Sequence, residues 1–426
     1  MLLLASPGQA QDRPHAIVGA RLIPVSGPEV ARGTIVWQMG LITAVGPDAT
    51  VDLPADAVVM DGTGQVVMPG LVDTHSHVGG TGGGDSSGPF HPDTRVLDSF
   101  NARSPGIQRA QAGGITTVNV MPGSGHLLSG QTLYMKFKDA GSVEDMAIRD
   151  ASGAVMGGIK MANGTNSRRD PPFPGTRSKA AALVRAKFIA AQEYRDKRAR
   201  AGDDPAKRPA RDLGLEALVE VLEGKRIVHH HTHRHDDILT VLRLREEFGF
   251  RVVLHHVSDA AKVAHEIAAA GVPCSIILVD SPGGKLEAKD LLFENGAALE
   301  RAGAAVAFHT DDWITDSRLF LRNPALGVRA GMSREAALSS VTLAAAQMLD
   351  LGDRVGSLEA GKDADLVVLS GDPLSVYSLV LETWIEGERV FDLSDPDDLL
   401  YATGGWGAGD EVAPGLCCAP GDEALR

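Results

Sequence analysis

Residues 66–80 read Val-Val-Met-Pro-Gly-Leu-Val-Asp-Thr-His-Ser-His-Val-Gly-Gly, and the rest of the chain is organised around this stretch. An apolar run leads directly into His75 and His77, and glycines follow at once. Residues two apart on a β-strand share a face, so we expect both imidazoles to project from the carboxyl end of one strand. Two imidazole nitrogens placed in this way can bind one divalent metal ion such as zinc. For a bare His-X-His motif, the alternative is a pair of solvated loop histidines.

Composition restricts the kinds of partner that this chain can have. Its 426 residues can form one large domain with a smaller one, or two ordinary domains. The net charge of −14 argues against nucleic acid, whose phosphates need concentrated Lys and Arg. The sequence contains no apolar run long enough to span a membrane. We therefore expect a small-molecule substrate, no nucleic-acid or membrane partner, and a homo-oligomer.

Residues 1–12 resemble the remnant of a secretory signal. A short apolar run precedes the small-X-small sequence Gly-Gln-Ala at residues 8–10, but a basic start and a full apolar segment are missing. This pattern predicts a periplasmic or secreted protein, and the alternative is a disordered tail on a cytosolic one. Cys274 is expected to be a buried small hydrophobic residue. The adjacent Cys417 and Cys418 support neither a disulfide framework nor a metal site.

Strand-like segments at both ends of the chain predict one composite β-sandwich domain. Short β-rich pieces alternate with Gly- and Pro-containing turns across residues 13–66, but they are too few to build a full core. Similar strand patterns return across residues 355–395. We therefore predict that these two segments form one small domain, with residues 396–426 as a C-terminal tail.

Between these segments, residues 67–354 alternate apolar strand-like runs with helical patterns rich in Ala, Leu, Glu and Lys. This alternation is typical of a parallel α/β fold. About eight strands are expected, which predicts a (β/α)8 TIM-like barrel with its active site at the carboxyl ends of the strands. The strand candidates lie at residues 66–73, near Leu97, and at residues 115–120, 154–161, 226–231, 251–256, 274–279 and 305–308.

One insertion exceeds the spacing of a minimal barrel. Residues 163–225 contain a polar, Pro-rich loop, a helix expected at residues 178–200 and a second helix at residues 214–222. An insertion on the catalytic face shapes a substrate pocket or a subunit contact more often than it carries the chemistry. The glycine-rich residues 79–88 are either a second mobile active-site loop or a flexible linker.

Residues 226–237 contain five histidines at the end of an apolar strand. Period two places His229, His231 and His233 on one face of that strand and His230 on the other. A metal ligand should follow the apolar part of the strand, so we predict His231 as the ligand. His233 is the second candidate, as a group that contacts substrate. A histidine tract that chelates metal nonspecifically at the surface is the alternative.

The next strand end carries two adjacent histidines. His256 has the same parity as Val252 and Leu254, whereas His255 has the parity of Arg251, which suits a barrel interior poorly. This pattern predicts that His256 is the metal ligand and that His255 is a packing histidine.

The last strand of the expected barrel leads into His309, Thr310, Asp311 and Asp312. A carboxylate at this position can bind a metal ion and also handle a proton during attack by water. We interpret His309, which precedes the carboxylates, as a buried neighbour.

Several of these motifs together resemble the amidohydrolase superfamily. They are the Pro-Gly-Leu-Val-Asp sequence before His75, the segment 356–373, and the strand ending in Thr-Asp at Asp311. The resemblance covers roughly residues 17–391 and implies that Asp311 is the metal-binding and catalytic carboxylate, with Asp312 a helix-capping or surface acid. It also implies that Lys160 is carbamylated and bridges two ions. The alternative is an ordinary lysine at the rim, with its stem buried and its amine in water.

The resemblance implies a centre with one or two divalent ions, Zn²⁺ being the expected metal. His75, His77 and Asp311 would hold one ion, His231 and His256 a second, and Lys160 would bridge them. The pattern is most similar to imidazolonepropionase-related and Xaa-Pro-dipeptidase-like hydrolases, which implies cleavage of an amide C–N bond in a dipeptide or an N-acyl amino acid.

Two other functions remain open at this stage. One is a mononuclear deaminase or a cyclic-amide hydrolase of the same superfamily, and the other is a non-catalytic small-molecule binding protein. His126, His233 and Arg168 are predicted to contact the substrate.

Overall fold

The computed structural model describes residues 13–80, 82, 84–278, 285–312, 314–404 and 408. The predicted signal remnant, residues 1–12, lies outside the described residues, and so do Cys417 and Cys418. Export and the state of these two cysteines therefore stay predictions.

Strands and helices alternate along most of the described chain. The strands are β1 His15–Leu22, β2 Val30–Gln38, β3 Leu41–Pro47, β4 Val58–Asp61, β5 Val66–Pro69, β6 Leu71–Ser76, β7 Ile115–Val120, β8 Leu128–Gln131, β9 Leu133–Lys136, β10 Ile159–Ala162, β11 Val228–Thr232, β12 Val252–His256, β13 Cys274–Ile276, β14 Val306–Phe308, β15 Leu366–Leu369, β16 Val380–Ile385 and β17 Glu388–Asp392. The helices are α1 Gly106–Ala112, α2 Val143–Met146, α3 Arg177–Ala201, α4 Leu213–Leu222, α5 His235–Phe248, α6 Ala264–Ala269, α7 Asn295–Ala302, α8 Arg322–Arg329, α9 Arg334–Ser339, α10 Leu343–Gln347 and α11 Pro396–Thr403.

Strands from both ends of the chain pair in one sheet, in the order β17-β16-β15-β5-β1-β2-β3, with β4 added beside β1. The link between the two ends is the antiparallel pairing of β15 with β5. Trp37 and Trp384 pack edge to face at 5.2 Å between ring centroids in the core of this sheet. One sheet thus contains strands from both termini, and their assignment to a separate small domain stays a prediction. Its hydrogen bonds define one sheet, so the two-layer sandwich stays a prediction, and α11 occupies part of the expected tail.

Two inner sheets carry the remaining strands. One has the order β14-β13-β12-β11-β10-β8, and the other has the order β6-β7-β9. The two sheets adjoin where only Thr132 separates β8 from β9. They adjoin again where the amide of Asp311 donates to the carbonyl oxygen of His75 at 3.0 Å. The carboxyl ends of β6, β10, β11, β12 and β14 are thereby brought to one place.

The inner sheets show a mixed α/β fold that differs from the predicted barrel in two respects. β8 and β9 run antiparallel to their neighbours β10 and β7. The strand expected near Leu97 is wrong, because residues Val96–Asp98 form a short 3-10 helix. Among the described residues, the pairing therefore does not define a closed barrel of eight parallel strands.

The insertion folds largely as its sequence predicts. The helices expected at residues 178–200 and 214–222 are α3 and α4. Phe188 of α3 stacks on Phe248 and Phe250 at 5.1 and 5.2 Å between ring centroids, which anchors the insertion to the helix that follows β11. In the described chain, every helix is too short or too polar to cross a membrane.

A cluster of buried charges joins the inner sheets to the segment before β15. The ammonium of Lys136, 2% exposed, donates to Asp363 at 2.9 Å and to Asp365 at 2.7 Å. Burial lowers the pKa of Lys136, but the charges of Asp365 and Asp363 outweigh it and raise the pKa above 10.5. We call Lys136, Asp363 and Asp365 the charged cluster.

Candidate metal centre

The His-X-His pair lies where the sequence predicts, at the carboxyl end of β6. Nε2 of His75 and Nε2 of His77 are 3.3 Å apart, and both rings are buried. Nδ1 of His77 lies 2.8 Å from the carbonyl oxygen of Met121, to which it can only donate. With Nδ1 fixed as a donor, Nε2 of His77 can hold either a proton that it donates to Asp311 or a metal ion. The alternative of two solvated loop histidines is wrong.

Asp311 faces both of these rings. Its Oδ1 lies 3.0 Å from His77 Nε2 and 3.4 Å from His75 Nε2, and its Oδ2 lies 3.8 Å from Nδ1 of His256. Burial opposes ionisation, but the hydrogen bond and charge of His77 outweigh it and lower the pKa of Asp311 to about 2. The backbone of Asp311 has φ +48°, which turns the chain and aims the carboxylate back toward β6.

Asp311 is held in place by the residues around it. Asp73 accepts from the amide of His75 at 3.1 Å and from the amide and hydroxyl of Thr310 at 3.1 and 2.5 Å. These bonds tie the end of β6 to the segment that follows β14.

Asp312, expected as a capping or surface acid, is instead 2% exposed.

Lys160 projects into the same space from β10. It is fully buried, and its Nζ lies 3.0 Å from His75 Nε2 and 3.0 Å from the sulfur of Met121. A rim lysine would keep its amine in water, so that alternative is wrong. The structure brings the lysine to the two histidines of β6.

His231 and His256 complete the group. Their ring centroids are 4.3 Å apart, and burial lowers the pKa of each ring well below 6.5, which favours the neutral form that binds metal. Among the described residues, neither ring nitrogen of His231 has a hydrogen-bond partner, and the same holds for Nε2 of His256. We call His75, His77, Lys160, His231, His256 and Asp311 the candidate metal cluster.

The period-two prediction for the inward face of β12 is wrong, although His256, the residue predicted from it, does reach the cluster. His255 pairs with His231 and with Ser275 in the neighbouring parallel strands, and so shares their inward face. Leu254 packs instead in the cluster that includes the helix residue Ile238. His256 reaches the centre because its φ of +71° turns the chain at the end of the strand. Sequence periodicity carries no signal for such a turn.

His309 is a buried neighbour, as the sequence predicts. Its ring stacks on that of His75 at 4.8 Å, and its Nε2 lies 3.3 Å from Nδ1 of His256. Its Nδ1 lies 2.7 Å from the hydroxyl of Ser275, which lies 2.5 Å from the hydroxyl of Thr74. If Nδ1 of His256 donates to Nε2 of His309, then Nε2 of His256 keeps a lone pair that can bind a metal ion.

The residues of the histidine tract are separated as predicted. His229 and His231 face the other inward side chains, whereas His230 bonds through Nδ1 to the carbonyl oxygen of His231 at 2.9 Å. His233 lies beside the centre, with its ring 4.6 Å from that of His231. Its Nδ1 is 2.7 Å from the hydroxyl of Ser258. Four of the five histidines are buried and only His235 is exposed, so the alternative of a surface chelator is wrong.

The two other predicted substrate contacts, His126 and Arg168, have different surroundings. His126 is 3% exposed and stands between His91 and Phe173, 5.3 and 5.5 Å from their rings. Burial, and then the charge of Arg169, lower its pKa to about 4. Arg168 donates to the carbonyl oxygen of Gly164 at 3.0 Å, a bond within its own loop. Contact of either residue with substrate stays a prediction.

Sequence reasoning missed Glu287 and Lys285. A carboxylate oxygen of Glu287 and one ring nitrogen each of His231 and His233 all lie within 4.8 Å of one another. Glu287 also accepts from Arg177 at 3.0 Å, and Nζ of Lys285 lies 3.3 Å from His233 Nε2. Both residues lie in a polar segment with no strand-end signal, so only the fold brings them to the centre.

The donor set fits a divalent metal ion. Ligand atoms of His75, His256 and Asp311 lie within 4.8 Å of one another, and all three residues are buried. Imidazole nitrogens with a carboxylate are the ligands that zinc and similar ions take. The buried ring nitrogens of His231 and His256 that lack a partner among the described residues match this role, because such groups are costly unless a ligand satisfies them.

Comparison with known proteins gives a consistent result. The sequence profile of the Amidohydrolase family matches residues 66–395. Amidohydrolase tasK of Hapsidospora irregularis is 28% identical over 413 residues, covering 87% of this chain. The chain spans 42% of the length of that relative. A 5-methylthioadenosine/S-adenosylhomocysteine deaminase of Symbiobacterium thermophilum is 24% identical over 439 residues, covering 89% of this chain and 92% of the deaminase.

A solved structure is also similar. The crystal structure of an amidohydrolase from Thermotoga maritima MSB8 superposes with a TM-score of 0.82 at 33% sequence identity. The alignment covers 89% of this chain and all of the other one. The residues matched by the profile include the strands that carry the candidate metal cluster.

Proposed function

Because this chain belongs to the amidohydrolase family, we propose that it is a metal-dependent hydrolase of an amide C–N bond. The proposed substrate is a dipeptide or an N-acyl amino acid. One observation carries the proposal: Oδ1 of Asp311 lies 3.0 and 3.4 Å from the Nε2 atoms of His77 and His75, with Nζ of Lys160 3.0 Å from His75. A proton acceptor, imidazole ligands and a buried amine thus meet at one point.

The residues of the candidate metal cluster would hold one or two divalent ions, with Zn²⁺ as the proposed metal. His75, His77 and Asp311 would serve one ion, and His231 and His256 would serve a second. A bound ion of this kind supplies Lewis acidity, which lowers the pKa of a water molecule and polarises a carbonyl oxygen.

Asp311 is the proposed acid and base. Its low pKa keeps it ionised at neutral pH, so it can accept a proton from the attacking water. The same carboxyl group then donates that proton to the nitrogen of the leaving amine. The neighbouring bonds of Asp73 with Thr310 and with the amide of His75 hold the segment that carries Asp311 in place during both transfers.

Lys160 is the proposed bridge between two ions. Its complete burial beside His75 supports carbamylation, in which the neutral amine adds to carbon dioxide and releases a proton. The resulting carbamate offers two oxygens in place of one amine. A deaminase with a single ion would leave Lys160 unmodified.

The substrate would be positioned by groups at the mouth of the centre. His233 and Lys285 lie on the side of His231, and His126 lies on the side of the insertion loop, against Phe173. A cavity of about 270 Å³ is lined in part by Gly84, which lies against the ring of His126. Its described lining includes no residue of the candidate metal cluster.

A deaminase is the second candidate, and the Symbiobacterium thermophilum relative favours it because its alignment covers most of both chains. A cyclic-amide hydrolase and a non-catalytic binding protein fit the same fold with less support. The products separate these functions. Amide hydrolysis releases a carboxylate and an amine, whereas deamination releases ammonia and leaves a carbonyl group on the substrate.

The test combines metal counting with product analysis. Elemental analysis of the purified protein should find two ions per chain, and turnover of N-acyl amino acids or dipeptides should release the free amine. Lys160→Ala should lose metal and activity. Lys138→Ala, which removes a half-buried lysine paired with Glu386, is the control and should keep both. One ion in wild type and in Lys160→Ala, with ammonia as the product, would establish the deaminase instead.

A further inference from the structure

Four buried side chains form a continuous series of hydrogen bonds that ends at the candidate metal cluster. The hydroxyl of Tyr134 lies 2.9 Å from Nε2 of His229, and Nδ1 of His229 lies 2.9 Å from Nε2 of His255. Nδ1 of His255 lies 3.2 Å from Nδ1 of His75. The remaining nitrogen of His75, Nε2, faces Lys160, His77 and Asp311.

These four residues come from four strands of the inner sheets. Tyr134 is on β9, His229 on β11, His255 on β12 and His75 on β6, and none is more than 2% exposed. Among the described residues, the hydrogen-bond partners of the His229 and His255 rings are Tyr134 and other histidines, and none is a carboxylate. Burial without an opposite charge favours the neutral imidazole, so each ring carries one N–H and one acceptor nitrogen.

Neutral rings allow this series only two consistent directions. In the first, Tyr134 donates to His229, His229 to His255, and His255 to Nδ1 of His75. The single proton of His75 then lies on Nε2, where it blocks metal binding. In the second, every bond reverses: His75 Nδ1–H donates to His255, His255 to His229, and His229 to the oxygen of Tyr134. A phenol oxygen can accept such a bond while its own hydrogen rotates elsewhere.

The groups around Nε2 of His75 select the second direction. In the metal-free protein Lys160 is an unmodified ammonium, which is a donor without a lone pair. Its Nζ lies 3.0 Å from Nε2 of His75, closer than the Asp311 carboxylate at 3.4 Å, so Nε2 is the acceptor. A metal ion needs the same lone pair. A proton on Nδ1 of His75 serves both, and His255 is placed to accept it.

We propose that Tyr134, His229 and His255 are positioning residues that hold His75 with its proton on Nδ1 and its Nε2 lone pair directed at the metal. The proposal rests on the metal centre of the proposed function. It predicts that metal affinity depends even on Tyr134, which acts on His75 only through two intervening rings.

The expected effects follow the order of the series. His255→Leu removes the partner of His75 Nδ1 and should weaken Zn²⁺ binding about 10–100-fold, the range seen when the hydrogen-bond partner of a metal-binding histidine is lost. His255→Gln should restore most of that loss, because the amide oxygen can accept from His75 while the amide nitrogen donates to His229. Tyr134→Phe removes one oxygen and should weaken binding by no more than about tenfold.

Two measurements test this without an activity assay. Competition with a chelator gives the Zn²⁺ dissociation constant of each variant. Nitrogen NMR of histidine-labelled, metal-free protein, with the His75 signals assigned by comparison with His75→Ala, reports which nitrogen of His75 is protonated. We expect Nδ1–H in wild type and His255→Gln, and a change in His255→Leu.

Val253→Ala is the matched control, because Val253 is buried in the same cluster as Tyr134 and pairs directly with His229 but makes no side-chain hydrogen bond. It should lower thermal stability and leave Zn²⁺ affinity unchanged. The proposal is overturned if wild-type His75 carries its proton on Nε2, or if His255→Leu and Tyr134→Phe bind Zn²⁺ no more weakly than Val253→Ala. Failure of wild type to bind Zn²⁺ at all would instead refute the metal centre itself.

Discussion

The charged cluster and the candidate metal cluster are both buried groups of polar side chains, but they use their hydrogen-bonding capacity differently. Lys136 forms ion pairs with Asp363 and Asp365, so its positive charge is compensated by direct contacts within the protein. In the metal cluster, both ring nitrogens of His231 and Nε2 of His256 have no hydrogen-bond partner within the described chain. Buried polar groups that all have partners within the protein stabilise the fold, whereas buried polar groups without such partners can bind a ligand.

The difference has a simple physical basis. Removing a charge from water is costly, and the cost is offset only when a partner and further hydrogen bonds accompany it. The charged cluster meets this condition through the protein alone. The neutral imidazoles of the metal cluster tolerate burial without a partner better than charges do, so they can stay open until an ion binds. Removing a side chain of the metal cluster should therefore lower metal binding and activity, whereas removing a side chain of the charged cluster should lower stability.

The largest expected effect is on catalysis, from His77→Ala. The substitution removes a ligand and should lower both bound metal and turnover, the latter by about a thousandfold or more because several kcal/mol of electrostatic stabilisation are lost. Elemental analysis and kinetics measure the two effects. His230→Ala removes a buried histidine outside the cluster and should cost about 1–3 kcal/mol of stability while keeping the metal. Equal metal loss in both variants would contradict the assignment of His230 to the face of β11 that points away from the metal cluster.

Lys136→Met should break the charged cluster and leave the metal cluster intact. It leaves Asp363 and Asp365 as buried carboxylates without their lysine, so we expect the free energy of unfolding to fall by about 3–5 kcal/mol. Urea unfolding measures the loss, and elemental analysis of the folded variant should find unchanged metal. The double variant Lys136→Met with Asp365→Asn should recover part of the stability. Metal loss without destabilisation would mean that the two regions had been assigned the wrong roles.

The smallest effect concerns the pH dependence of the stability that Lys136 contributes. The pKa of Lys136 is raised above its unfolded value of 10.5, so its contribution to stability is fully present below pH 10.5 and is lost as pH rises through the folded pKa. Urea unfolding at several alkaline pH values should show the advantage of wild type over Lys136→Met constant below pH 10.5 and shrinking above it. An advantage that shrinks between about pH 7 and 9 would exclude Lys136 as its source.

Much of this arrangement could be read from the amino-acid sequence. Apolar runs ending in His75, His77, His231 and Asp311 mark strand ends, because a strand places its last residues at one edge of a sheet. The helices of the insertion begin and end within a residue or two of their expected positions, since their pattern is local. The pairing of both chain ends in one sheet also follows from strand counts at the two termini.

The remaining features could not be predicted, because they depend on contacts between residues distant in sequence and on backbone turns that leave no periodic signal. The strand register places His255 inside, and the positive φ of His256 turns that residue inside as well, against the period-two expectation. The antiparallel β8 and β9 replace a predicted strand near Leu97. The bond between Lys136 and Asp363 spans 227 positions. The sequence determined which groups end the strands, and long-range packing decided which of them meet, and which are left open for a ligand.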